Sequence, residues 1–105
     1  MLAEMYRIDA SLGDPENVMD DLISVAGALA RAGRPRDAVY LLARAEAMRE
    51  ELGVSLEPWV MEDRDAAESI PRARLDADAF AEAWDEGRRM TVDRAVALAL
   101  GEPTS

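Results

Sequence analysis

The sequence predicts an all-α fold of antiparallel helical hairpins, on three observations. Apolar residues recur at helical spacing along most of the chain. Ala and Leu dominate, while the aromatics that favour strands are few. Gly and Pro fall where helices should begin or end, with Ala32-Gly33-Arg34-Pro35 the clearest case. The 105 residues make a single domain, 1–105, able to bury roughly 65% of the unfolded chain's surface. About six helices are expected, near 2–12, 15–32, 35–52, 58–70, 77–88 and 92–100.

Leu2, Met5, Ile8 and Leu12 form the stripe of the first helix, which Gly13 ends. At about 12 residues it is marginal alone and must pack on a neighbour. Asp14-Pro15-Glu16 then offers an N-cap, a first-turn proline and a carboxylate at the positive helix end. The helix it starts carries Val18, Leu22, Val25, Ala26 and Leu29 on one face. Its partner, 35–52, carries Ala38, Leu41, Leu42, Ala45 and Met48. Gly33 suits a left-handed helix stop and Pro35 a first helical position. So short a connection forces the two helices to lie antiparallel along one seam. Ala26, Ala38 and Ala45 keep that seam close.

After Gly53, Leu56 is placed to staple onto Met61, with Glu57 as cap and Pro58 as first helical residue. Trp59, Val60, Ala66, Ala67 and Ile70 give a thin stripe. Pro71 is expected to kink or end this helix near Ile70, with one further turn through Leu75. Asp76 caps the next helix, whose buried face is Phe80, Ala83 and Trp84 and whose end Gly87 loosens. Thr91 caps the last, with Val92, Ala95, Val96, Ala99 and Leu100 inward and Gly101 and Pro103 as stop.

The composition excludes several functions. Lys and Arg number 12 against 22 Asp and Glu, and a net charge of −10 argues against direct nucleic-acid binding. No apolar run approaches the ~18 residues of a membrane span, and no cleavable signal is visible at Met1-Leu2-Ala3-Glu4, so no membrane partner and a cytoplasmic location are expected. The chain has no cysteine and no histidine, which removes disulfides, thiolate metal sites and imidazole catalysis. Ser11, Ser24, Ser55 and Ser69 have no visible activating partner, and the six glycines form no phosphate loop. Asp76, Asp78 and Glu82 partly resemble a calcium loop but lack its central glycine, and read as caps and dipole partners. Glu62, Asp63, Asp65 and Glu68 read as a solvated helix face. Hence no catalytic residue, metal or cofactor is expected. Met5, Met19, Met48, Met61 and Met90 read as core gap-fillers, Trp84 as core beside Phe80, and Trp59 as core too. Arg88 and Arg89 complement a negative helix end, and Arg34 and Arg36 flank a turn in solvent.

The stretch Leu22, Ala26, Leu29, Gly33, Ala38, Leu42 and Ala45 resembles one tetratricopeptide (TPR) repeat, although Leu22 or Leu29 stands for the usual aromatic and Glu50 for the closing proline. More broadly, Ala43-Arg44-Ala45-Glu46-Ala47, Leu52-Gly53, Leu56 and Pro58, then Ala79-Phe80, Ala83-Trp84, Glu86-Gly87-Arg88 and Ala95 to Leu100 resemble the C-terminal tail of bacterial multidomain signalling ATPases, including LuxR-type transcriptional regulators. The resemblance implies a short right-handed TPR-like solenoid that binds a protein partner or packs on an adjacent domain of a larger regulator. It places Asp20, Ile23, Gly27 and Ala30 on a concave protein-binding groove. Gly27, mid-helix at a cost of about 1 kcal/mol relative to alanine, fits either a close helix neighbour or a passing ligand backbone. The N-terminal stripe should cover the next helix only in part, leaving Leu2, Met5, Met19 and Ile23 as a self-association face for a two-fold homodimer. A small ligand-sensing or carboxylate-based enzyme domain and a free-standing oligomerisation module are the rival readings.

Overall fold

The hairpin around Gly33 is the centre of the fold. A computed structural model describes residues 15–101, and within them five α-helices and one short 3-10 turn follow in order. These are α1 (Pro15–Arg31), α2 (Pro35–Leu52), the 3-10 turn Pro58–Val60, α3 (Met61–Arg74), α4 (Ala77–Arg89) and α5 (Val92–Ala99). No strand occurs among the described residues. The helix expected over 2–12, its Gly13 end, the Asp14 cap and the Pro103 stop lie outside them.

Gly33 adopts φ 85°, a left-handed conformation that closes α1 while Pro35 opens α2. The Arg34 amide donates back to the Leu29 carbonyl at 2.9 Å, so the turn satisfies a carbonyl that the helix end would orphan. Ala26, Ala38 and Ala45 are fully buried, as a close seam requires. α2 is buried on more than one side: Leu41, Leu42, Ala45 and Met48 belong to the main core, while Val39 belongs to a second, smaller cluster. It therefore packs against α1, α3 and α4, and more lightly against α5. Met19, Leu22, Ile23, Leu41 and Leu42 are among the largest fully buried side chains. Each such side chain contributes about 1.5–3 kcal/mol by leaving water.

α3 departs from expectation. It does not end near Ile70: the further turn expected through Leu75 follows on directly, carrying the helix through Pro71 to Arg74, and the turn before it, Pro58–Val60, is 3-10. Proline removes a single amide donor, and here the break falls in the last turn. The Leu75 amide closes that turn on the Pro71 carbonyl at 2.8 Å, and the Pro71 ring is fully buried. Glu57 makes no side-chain cap, and Trp59 and Met61, both expected in the core, are 61% and 40% exposed. Val60 takes the buried place instead, and Leu56 packs against the same core.

α4 and α5 start as expected. Asp76 Oδ1 accepts from the Ala79 amide at 2.7 Å, and Thr91 Oγ1 accepts from the Arg94 amide at 3.1 Å. Gly87, expected to loosen a helix end, instead lies buried inside α4 at its contact with α2. A Cβ there would meet the Tyr40 carbonyl oxygen at 2.5 Å and Tyr40 Cα at 2.8 Å. Phe80 and Ala83 join Val39 in the smaller cluster rather than meeting Val92 and Val96, which sit with the main core. α5 turns back on the first hairpin, packing on α2 and α1 through Ala95 and Val96.

Among the described residues no helix is long and apolar enough to cross a membrane.

Candidate functional site

The residues expected to line an open groove are covered by the chain itself. Ile23 is 1% and Ala30 0% exposed, Gly27 is buried and Asp20 half-buried. The cover over Gly27 is α3: a Cβ on Gly27 would meet the Asp63 Cα and carbonyl oxygen at 2.9 Å. Arg31 clamps the same place, donating to Asp63 at 2.8 Å. Of the two readings open for Gly27, the close helix neighbour is the one the packing realises. The self-association face fares alike: Met19 is 2% and Ile23 1% exposed, buried in the main core, while Leu2 and Met5 lie outside the described residues.

A different groove exists, and it follows from how α3 and α4 are held. α3 is drawn onto α1 by Gly27, and α4 onto α2 by Gly87. Arg44 secures the far end of α4, its Nη1 donating to the carbonyls of Arg88 and Met90 at 3.1 and 3.0 Å. Arg88 in turn donates to both carboxylate oxygens of Glu50, at 2.9 and 3.2 Å. So the Arg88 of the expected dipole pair is a tertiary clamp as well. Anchored separately, α3 and α4 hardly pack on each other.

The space between them is an open groove of about 480 Å³. Arg64, Glu68 and Arg72 line the α3 wall; Ala77, Phe80, Ala81, Trp84 and Asp85 line the α4 wall. The Phe80 and Trp84 rings stack with centroids 6.2 Å apart and planes 13° apart. The Arg72 guanidinium lies 4.2 Å from the Phe80 ring centroid, a cation–π contact. Phe80 is itself 7% exposed, whereas Trp84 is half-buried and touches both clusters.

Beneath the α3 wall runs a charge ladder. The buried Glu46 of α2 accepts from Arg49 Nε at 2.8 Å and from Arg64 Nε at 3.0 Å. Arg64 Nη1 donates onward to Glu68 at 2.9 Å, and Arg72 Nε donates to Glu68 at 3.1 Å. Burial opposes ionisation of Glu68, but the hydrogen bonds from Arg72 and Arg64 and their charges outweigh it, holding its carboxyl below its ordinary 4.5. Arg64 behaves conversely: burial works against its charge, and Glu46 and Glu68 raise its pKa. The expected acidic face is thus divided. Asp63 and Glu68 are tied into ion pairs, while Glu62 and Asp65 stay exposed. Nothing in local spacing marks Glu46 for burial, since its partner Arg64 lies 18 residues away.

The ladder carries a pH consequence. Glu68 has its pKa lowered by folding, so its stabilising share is present above pH 4.5 and is lost as pH falls through the lower folded value. Thermal melts of wild type and Glu68→Gln should therefore converge as pH falls through that lowered folded value and separate near neutrality. A constant gap across that range would contradict the pairing.

Two smaller depressions accompany the groove. One of about 240 Å³ is lined by residues including Tyr40, Glu86, Met90 and Arg94, and one of about 300 Å³ by residues including Glu46, Leu56, Met61 and Arg64. Both mix apolar and charged groups without convergence on one point. Among the described residues no group of three or more carboxylates is placed to hold a metal ion. Comparison with protein-family models, with curated proteins and with solved structures found no match to this chain.

Proposed function

We propose that this chain is a non-catalytic, TPR-like protein-interaction module, the C-terminal part of a larger cytoplasmic bacterial signalling or transcriptional regulator. Its working surface is the groove between α3 and α4, where a peptide segment or a neighbouring domain is held. The observation that carries this reading is the separation of those two helices. Each is fixed by close backbone contact to the first hairpin, so the gap between them is set by the fold and does not need to open. A half-buried Trp84 stacked on a buried Phe80 gives the gap an amphipathic aromatic anchor of the kind interfaces favour. The repeat-like residue pattern from Leu22 to Ala45 agrees with a helical-repeat interaction role.

Selection from a random peptide library on the purified chain tests it. Peptides of about micromolar affinity should be enriched, and Ala81→Glu, which puts a carboxylate on the exposed groove wall, should weaken them roughly tenfold or more without lowering the melting temperature. No enrichment, or peptides indifferent to Ala81→Glu, would sink the proposal.

A further inference from the structure

The charges around the groove define what it accepts. On the α3 side the charges balance as one network, in which Arg49, Arg64 and Arg72 share Glu46, Glu68 and, at 3.9 Å, Asp65. The carboxylates flanking the α4 wall have no such partners. Asp78 and Asp85 are exposed on α4 and make no ion pair among the described residues. On α4, Ala77, Ala81 and Trp84 share one helical strip, and Asp78 and Asp85, seven residues apart, run along its flank. The result is an apolar strip with unpaired negative charge along α4 and a charge-balanced wall on α3.

We infer that the occupant of this groove is a basic amphipathic helix of a partner protein. The inference rests on the groove reading above and adds the partner's chemistry. Ala77 and Ala81, one turn apart and exposed, let a helix backbone approach α4 closely, as small residues do along the seam of α1 and α2. The partner's apolar edge lies on Trp84 and the two alanines. Its Lys or Arg flank meets Asp78 and Asp85, and the chain's net charge of −10 steers it in. An acidic helix would meet those carboxylates with like charge, and the α3 wall, balanced within its own network, offers no net cation.

Three synthetic helical peptides with one Leu/Ala edge and flanks of Lys, Gln or Glu form the probe, with a scrambled Lys peptide lacking the edge as control. Trp84 fluorescence in a Trp59→Phe background reads binding, since Trp59 is 61% exposed and outside the groove. The Lys peptide should bind roughly tenfold tighter than the Gln peptide, with the Glu peptide weakest. Its advantage should shrink as salt rises from about 0.05 to about 0.5 M. Asp78→Asn with Asp85→Asn should weaken the Lys peptide several-fold and leave the Gln peptide unchanged. Equal binding of the three flanks, sensitive to Ala81→Glu, would overturn the charge inference and leave the groove standing. Equal binding of the scrambled and ordered Lys peptides would overturn the inference too, by making the attraction non-specific. Binding that ignores Ala81→Glu would overturn the groove itself.

Discussion

Gly87→Ala is expected to destabilise the fold by about 2–3 kcal/mol, near the top of the usual overpacking range. A mid-helix glycine normally gives about 1 kcal/mol back when replaced by alanine. Here the added methyl would sit 2.5 Å from the Tyr40 carbonyl oxygen and 2.8 Å from its Cα. Those are backbone atoms of the central helix, which cannot rotate aside as a side chain would. α4 must lift from α2, loosening Phe80 from Val39 and the Arg44 bonds to the Arg88 and Met90 carbonyls. Urea unfolding gives the stability directly. A variant as stable as wild type, or more so, would show that α4 does not rest on Tyr40.

The two tryptophans should part company. Trp84→Ala removes a half-buried ring that touches both clusters and stacks on Phe80, and is expected to cost about 2–4 kcal/mol. For a domain of this size that is a fall in melting temperature of roughly 10–25 °C. Trp59 is 61% exposed, and Trp59→Ala should stay within about 0.5–1 kcal/mol. Thermal melts of both variants decide it. Equal losses would mean that the 3-10 turn at Pro58–Val60 buries more than its geometry indicates.

The same residues show what sequence makes legible. Features decided within a few residues were readable: the Gly33 and Pro35 turn, the Asp76 and Thr91 caps, and the helical stripes of α1 and α2. Features decided by a neighbour in space were not. Gly87 carries the local signature of a loose helix end, and only the arrival of Tyr40 makes it a contact point. Pro71 carries the signature of a break, yet its buried ring and the Leu75 cap keep the last turn helical. The TPR resemblance puts Ile23 and Ala30 on an open groove, but a helical stripe does not say which element covers it, and here α3 and the main core do. The α3–α4 groove was invisible for the same reason, since it is a contact that adjacent helices fail to make. Its wall residues Phe80 and Trp84 read from the sequence as core alone.

The central claim is that the fold holds α3 and α4 apart to receive a partner. Backbone amide shifts of the isotope-labelled chain, followed while the Lys-flanked peptide is added, test it most directly. The expected map has its largest changes on Arg64, Glu68 and Arg72 of α3 and on Ala77 to Asp85 of α4, with Asp20 to Ala30 of α1 unmoved. Changes centred on α1 or around Trp59, with the α3–α4 walls silent, would contradict the account.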